Sequence, residues 1–103
     1  MIKEVNSSNF NSFLREKDIS VVKFWSETCE PCKELAPFFE KYAESNVNIS
    51  FGSVKTNDNR KFSISNKVMG VPTVIIYKEG VEIGRLIGEN CTINKIQEVT
   101  ECK

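Results

Sequence analysis

The order of strand-like and helix-like segments restricts this chain to few folds. Strand segments are rich in β-branched and aromatic residues, whereas helical segments repeat apolar residues every three or four positions. By these patterns, strands are predicted at Met1–Val5, Ile19–Trp25, Val47–Val54, Val74–Tyr77 and Val81–Ile87. Helices are predicted around Phe10–Leu14, from Glu30 onward, at Asn59–Lys67 and at Thr92–Cys102. The resulting order is β-α-β-α-β-α-β-β-α.

A turn sequence joins the last two predicted strands. Lys78-Glu79-Gly80 is typical of a hairpin, which makes these two strands antiparallel neighbours. The helices between the earlier strands imply crossover connections and a buried central sheet. A chain of 103 residues is long enough for one hydrophobic core and too short for two. We therefore expect an α/β fold, with residues 1–103 forming a single domain in which helices cover both faces of a mixed five-stranded sheet.

Charge and hydropathy exclude several classes of function. Fourteen basic and fourteen acidic side chains give a formal net charge of zero, so no positive surplus is available for a nucleic-acid backbone. The longest apolar runs, such as Val71–Tyr77, are too short to cross a bilayer. The first ten residues do not resemble a secretory signal. We expect no nucleic-acid partner, no membrane partner and a cytoplasmic location.

Cys29 and Cys32 lie two residues apart, directly after the apolar segment Ile19–Trp25. A structural zinc site usually needs two such pairs or additional histidines, and the chain has four cysteines and no histidine. The other two cysteines, Cys91 and Cys102, are eleven positions apart. On one helix they would be separated by about 16 Å, beyond the roughly 7 Å that a disulfide spans. A metal site is therefore disfavoured, and two inert buried thiols remain as an alternative.

Redox chemistry fits the placement of the pair better. A helix N-terminus presents free N–H groups and a positive dipole end, which lower the pKa of a thiol and activate it. Pro31 suits a first helical turn, where its missing donor costs nothing. Cys32 lies within one turn of Cys29, so it can attack a mixed disulfide formed there. The spacing favours a thiol–disulfide exchange site.

Motifs spread along the chain resemble the thioredoxin family. They are Phe24-Trp25, Cys29-Glu30-Pro31-Cys32-Lys33, Pro37, Gly70-Val71-Pro72-Thr73, Gly80 and Gly88. The resemblance covers nearly the whole chain and implies the thioredoxin fold. It also implies that Cys29 is the attacking thiol and Cys32 the resolving thiol, joined by a reversible disulfide. No bound cofactor and no metal is implied, because the two sulfur atoms carry both electrons.

The resemblance assigns further roles around the cysteine pair. Pro72 would be a cis-proline facing the cysteines, although its position alone also allows an ordinary trans-proline at the start of an edge strand. Glu30, Pro31 and Lys23 would tune the redox chemistry. Partner-binding residues would be Trp25, Thr28, Met69, Val71 and Gly88.

Four positions depart from the family pattern. Glu30 stands where the family usually has glycine, and Thr28 where it has tryptophan. Lys23 replaces a buried aspartate, and Ser53 replaces a lysine common in the third strand. The lysine at position 23 either extends its ammonium group to water or to an acidic neighbour, or stays near Cys32. Proton transfer therefore does not carry over from the family.

The leading hypothesis is a monomeric thiol–disulfide oxidoreductase. It would reduce disulfides in client proteins and be recharged by a thioredoxin reductase. A dedicated redox partner of a single enzyme system is a second possibility, for which Cys29-Glu30-Pro31-Cys32 would be tuned. A non-catalytic binding module that uses the rim formed by Val71 and Pro72 is a third, and the retention of both cysteines argues against it.

Overall fold

The computed structural model describes residues 2–101, which form a five-stranded sheet with four α-helices. The strands are β1 (Ile2–Glu4), β2 (Ile19–Trp25), β3 (Ile49–Lys55), β4 (Thr73–Lys78) and β5 (Val81–Ile87). The helices are α1 (Phe10–Leu14), α2 (Glu30–Ser45), α3 (Arg60–Ser65) and α4 (Ile93–Glu101). Short 3₁₀ turns at Thr56–Asp58 and Gly88–Asn90 follow β3 and β5.

The strands lie in the order β1-β3-β2-β4-β5, with β2 at the centre. Strands β1, β3 and β2 are parallel to one another, and β4 is antiparallel to both β2 and β5. Parallel neighbours require the crossover helices that the sequence predicts, and the β4–β5 pair is the predicted hairpin. The expected α/β fold with a mixed five-stranded sheet and four helices is confirmed.

Side chains of β2 alternate between two hydrophobic cores. Val21 faces α2 and α4, where it packs in one cluster with Phe39 and Ile96. Val22 and Phe24 face the opposite side, in the cluster that contains residues of α1. Because both faces of the sheet are covered, β2 reads as a nearly continuous apolar run. Lys23 interrupts that run on the α2 face.

The third strand begins later than the sequence predicts. The prediction placed Val47 inside a strand, but it is exposed, and β3 begins at Ile49. The reason lies in the end of α2, where the Asn46 N–H donates to the Ala43 carbonyl oxygen at 3.3 Å. The Ile49 N–H then donates to the Asn46 carbonyl oxygen at 3.1 Å, so residues 46–49 form a turn. Met1 and Cys102, at the ends of two predicted elements, lie outside the described residues.

Candidate active site

Strand register brings three distant parts of the chain to one end of the sheet. Phe24 of β2 pairs with Thr73 at the start of β4, so Pro72 lies next to the segment that follows β2. Thr73 also pairs with Ile87 at the end of β5, which places Gly88 at the same end. The predicted residues Pro72 and Gly88 therefore lie beside the loop that leads from β2 to Cys29.

Cys29 and Cys32 form a disulfide at the start of α2, with Cα atoms 5.2 Å apart. Cys29 is the N-cap residue, and its Sγ accepts a hydrogen bond from the Cys32 backbone N–H at 3.2 Å. Pro31 occupies the first turn of α2. A backbone N–H in this turn has no acceptor within the helix, so proline loses no helical hydrogen bond here. The N–H groups of this turn and the dipole of α2 favour negative charge on the Cys29 sulfur.

Exposure does not distinguish Cys29 from Cys91. In the disulfide form, Cys29 is 8% exposed and Cys91 is 7% exposed. Their surroundings differ instead. Cys91 lies two residues before α4, and its Sγ is 3.2 Å from the Leu86 carbonyl oxygen and 3.4 Å from that of Pro72. Burial raises the pKa of the Cys91 thiol to about 11, which keeps it protonated at neutral pH.

The Val71–Pro72 peptide bond is cis, as the family resemblance implies. The Pro72 carbonyl oxygen accepts a hydrogen bond from the Gly88 N–H at 2.8 Å. Gly88 has a φ of 62°, a left-handed conformation that favours glycine at this turn. These contacts fix the segment before β4 to the end of β5.

The loop between β2 and Cys29 is fastened to the end of β3. Lys55 forms an ion pair with Glu27 at 2.9 Å, and that hydrogen bond raises the pKa of Lys55. The Lys55 ammonium also lies 5.9 Å from the centroid of the Trp25 ring. The Thr56 hydroxyl donates to the Trp25 carbonyl oxygen at 3.1 Å. These contacts hold half-buried Trp25 beside the start of α2.

Lys23 is largely buried in the structure. It is 7% exposed, and its ammonium lies 4.8 Å from the centroid of the Phe39 ring. Burial lowers the pKa of Lys23, and the negative charge of Glu40 opposes that shift. Lys23 lines a cavity of about 350 Å³ whose other lining residues are Ile2, Trp25, Cys32, Lys33, Ala36, Glu40 and Ser53. Cys32 and the acidic neighbour Glu40 both line this cavity, so Lys23 lies beside the groups named in both alternatives.

Glu30 pairs with a neighbouring lysine at the surface of α2. Its carboxylate is 3.3 Å from the Lys33 ammonium, and both side chains are largely exposed. Thr28 is exposed in the turn before Cys29, where the Cys29 N–H donates to the Ser26 carbonyl oxygen at 3.4 Å. Met69, 89% exposed, lines a depression that it shares with Val71 and Ser26. The structure therefore groups Met69 with Val71, whereas Thr28 does not line that depression.

Sequence reasoning missed a groove beside the disulfide. Pro31, Glu34, Leu35 and Phe38 form one wall, at helical spacing i, i+3, i+4 and i+7. The signal was the pair of adjacent phenylalanines, of which Phe39 is fully buried and Phe38 is 61% exposed. Phe38 lines the groove, so the exposed member of the pair marks the face of α2 that forms its wall.

Residues 2–101 contain neither a candidate metal site nor a candidate membrane-spanning helix. No three histidine, cysteine, aspartate or glutamate side chains in this part of the chain lie close enough together to hold a metal ion. None of the helices described here has the length and hydropathy needed to cross a bilayer.

The five-stranded sheet, with a disulfide at the start of its second helix and a cis-proline before its fourth strand, defines a thioredoxin-fold redox protein. The sequence model of the thioredoxin family matches residues 1–101. The chain belongs to the thioredoxin family.

Individual relatives agree with this assignment. Thioredoxin from Chlamydia pneumoniae is 33% identical over 88 residues, which cover 85% of each chain. Thioredoxin from Acetoanaerobium sticklandii is 35% identical over 82 residues, covering 79% of this chain and 78% of the relative. Among solved structures, a mutant thioredoxin from Halobacterium salinarum superposes with a TM-score of 0.89. That match has 20% identity, covers 97% of this chain and 88% of the other, and shows the shared fold.

These comparisons establish the class of activity. The protein is a thiol–disulfide oxidoreductase that acts through a reversible active-site disulfide, formed here by Cys29 and Cys32. Membership of the family implies two kinds of partner, a reductase and proteins that contain disulfides.

Proposed function

We propose that the protein reduces disulfides in client proteins, with Cys29 as nucleophile and Cys32 as resolving thiol, and that a thioredoxin reductase recharges it. The observation that carries these roles is the position of Cys29 at the N-cap of α2, where the Cys32 N–H donates to its sulfur. A thiolate at Cys29 keeps that hydrogen bond and gains from the helix dipole. Cys32, 3% exposed, is less accessible to a client.

The exchange proceeds in two balanced steps. The Cys29 thiolate attacks one sulfur of the client disulfide, forms a mixed disulfide and releases the other client sulfur as a thiolate. Cys32 then loses its proton and attacks the Cys29 sulfur, which releases the second client thiolate. The protein is oxidised by two electrons and the client is reduced by two, and protonation yields client thiols. The reductase returns two electrons to the Cys29–Cys32 disulfide.

We propose that the proton lost by Cys32 is accepted by Lys23 or by a water molecule beside it. Both residues line the same cavity, and the lowered pKa of Lys23 makes its neutral, proton-accepting form more accessible. An ammonium at this position also favours the Cys32 thiolate. Lys23, or the water beside it, thus takes over the task of the aspartate that the family usually places here.

Partners would bind around the disulfide on Trp25, Thr28, Met69, Val71 and Gly88. Pro72 would face the cysteine pair and shape that contact. We place the protein in the cytoplasm, because a dithiol donor needs a compartment that keeps thiols reduced. We further propose that it acts as a monomer formed by one domain.

Turnover tests the proposal directly. A small disulfide-bonded protein is mixed with excess dithiothreitol, and its reduction is followed with and without catalytic amounts of the protein. Turnover above the background supports the oxidoreductase, whereas a non-catalytic binding module adds nothing. Recharging is tested separately, by mixing the oxidised protein with thioredoxin reductases and their reductant. Failure of every reductase to reduce the Cys29–Cys32 disulfide would point to a dedicated partner.

Glu30→Gly is expected to change Cys29 reactivity only slightly. A carboxylate beside a thiolate disfavours it, so the sequence alone predicts a lower Cys29 pKa and a more strongly oxidising protein in the variant. In the structure the Glu30 carboxylate is exposed and paired with Lys33, so water and salt screen its charge. We expect the alkylation rate of reduced Cys29 at pH 7 to rise by less than about threefold, the effect of a weak surface charge. A rise above about tenfold would mean that the carboxylate turns toward Cys29 when the disulfide is reduced.

Cys91 and Cys102 are expected to be dispensable for turnover. Cys91 is buried with a pKa of about 11, so little thiolate forms at neutral pH, and Cys102 lies outside the described residues. The Cys91→Ser/Cys102→Ser variant should keep at least about half of the wild-type rate, since neither sulfur takes part in the exchange. Loss of most turnover, in a variant whose unfolding curve matches the wild type, would contradict this assignment.

A further inference from the structure

We propose that the surface around Val71 reads the charges on both sides of a client's cysteine, taking a lysine or arginine on one side and an acidic residue on the other. This inference rests on the proposed function and names the client chemistry that the same site prefers. Two concave surfaces meet at Val71, and they carry charges of opposite sign. We call them the acidic groove and the basic depression.

The acidic groove has a volume of about 630 Å³ and runs between α2 and the segment that precedes α4. Leu35 and Phe38 supply an apolar wall, and Val71 and Pro72 line the groove together with Pro31, which lies between the two cysteines in sequence. Its volume falls in the range of about 300–1,000 Å³ that is common for ligand pockets. The Pro72–Gly88 hydrogen bond fixes two residues that line the groove, so little ordering is needed when a segment binds.

Both charged side chains that line this groove are carboxylates. Glu34 extends from α2 and Glu89 from the opposite wall, and both residues are exposed. Within residues 2–101, neither forms an ion pair and no basic residue joins the lining. A lysine or arginine has an aliphatic stem that suits an apolar wall and a cationic end that suits carboxylates at a rim. The groove therefore fits a basic side chain.

The basic depression lies on the other side of Val71 and has a volume of about 310 Å³. Met69 and Ile64, both exposed, provide its apolar surface. Arg60, the first residue of α3, is the one charged side chain among the described residues that line it. A guanidinium group binds carboxylates with paired hydrogen bonds, so this depression fits an acidic side chain.

A client segment that crosses Val71 in an extended conformation would reach both surfaces. Side chains two positions apart in an extended chain point to the same side. If the client cysteine points toward Cys29, the residues two positions before and after it also face the protein. One of them would enter the acidic groove and the other the basic depression. The preferred client therefore carries a basic residue at one of these two positions and an acidic residue at the other. A client with the two charges exchanged should fit less well.

Matched cysteine peptides test this order. Two peptides carry Lys-Gly-Cys-Gly-Glu and Glu-Gly-Cys-Gly-Lys, and a third carries Gln at both charged positions. Each is supplied as a mixed disulfide with a chromogenic thiol, and the second-order rate of thiol release by reduced protein is measured. We expect one charged isomer to react about three- to tenfold faster than the other at low salt, the size expected for a few surface charge pairs. The preference should fall below about twofold at roughly 0.5 M salt.

Variants of the lining residues assign the preference to these surfaces. Glu34→Gln/Glu89→Gln and Arg60→Gln should each reduce the ratio of the two isomer rates, and the triple variant should abolish it. Phe38→Ala should also reduce the ratio, although it removes no charge. Glu44→Gln is the control, because it removes an exposed carboxylate of α2 that does not line the groove. It should leave the ratio unchanged.

Two results would overturn the inference in different ways. Equal rates for the two charged isomers at low salt, with a reactive Gln peptide, would refute charge reading and leave the proposed function intact. An isomer preference that persists in the triple variant would refute the assignment to these residues. Failure of all three peptides to react would refute the proposed exchange chemistry, and charge reading along with it.

Discussion

Replacing Cys29 with serine should abolish turnover and reduce the rate of disulfide reduction to that of dithiothreitol alone. A serine hydroxyl is not ionised at neutral pH and does not attack a disulfide, so no mixed disulfide can form. The helix N-terminus that favours a Cys29 thiolate does nothing for a neutral hydroxyl. The measurement is the dithiothreitol-driven assay with equal concentrations of wild type and variant.

The Cys29→Ser result needs a control for folding and for general loss of a cysteine. Cys91→Ser removes a thiol of nearly equal exposure that does not cap α2, and it should keep turnover. Substantial activity in Cys29→Ser, together with loss in Cys91→Ser, would contradict the assignment of the nucleophile.

Lys23→Met should stabilise the oxidised protein and slow the release of clients. The Lys23 ammonium is buried and has no ion-pair partner within residues 2–101. Methionine is apolar and of similar length, so we expect the substitution to add about 1–3 kcal/mol to the free energy of unfolding. The same change removes the proposed proton acceptor beside Cys32, so decay of the mixed disulfide should slow by about tenfold or more, as for loss of a general base. Urea unfolding and stopped-flow kinetics measure the two effects.

The stability difference should depend on pH with a definite sign. Burial lowers the pKa of Lys23 in the folded state below its ordinary value of 10.5, so the unfolded chain binds more protons between the two values. The cost of burying the ammonium is fully present below the folded-state pKa and disappears as pH rises toward 10.5. The gain from Lys23→Met should therefore be largest below the folded-state pKa of Lys23 and shrink as pH rises toward 10.5.

Lys41→Met provides the matched control, because Lys41 is an exposed lysine of α2 that does not line the cavity. It should change the free energy of unfolding by less than about 0.5 kcal/mol and leave the rate of mixed-disulfide resolution unchanged. Destabilisation by Lys23→Met would show that the ammonium is held by favourable contacts, such as the Phe39 ring or Glu40. A stabilised variant with wild-type resolution would reject Lys23 as the proton acceptor and leave that task to water.

Much of the fold was predictable because its patterns are local. Strands β2 and β5 have the predicted bounds, Ile19–Trp25 and Val81–Ile87, since a continuous apolar run and a hairpin turn mark them. Val47 was misassigned because a valine extends the apolar pattern of a strand in the sequence even when it lies in the turn before that strand. Only the hydrogen bonds at the end of α2 determine where β3 begins.

The cysteine pair and Pro72 were predictable from spacing and family resemblance, but their surroundings were not. The fate of Lys23 depends on α2, which places the Phe39 ring under the ammonium and Glu40 near it. The pairing of Glu30 with Lys33 depends on side-chain directions that the sequence leaves open. The acidic groove arises only when the face of α2 that carries Phe38 is set opposite the segment before α4.

Identifying the sulfur to which a client becomes attached tests the central claim most directly. Reduced Cys32→Ser protein is mixed with a disulfide-bonded client, the reaction is quenched with acid, and the covalent complex is digested and analysed by mass spectrometry. Since the variant cannot resolve the mixed disulfide, we expect the complex to accumulate, with the client cysteine joined to Cys29. A complex joined through Cys91 or Cys102, or the absence of any complex under conditions in which the wild type turns over, would contradict the proposed mechanism.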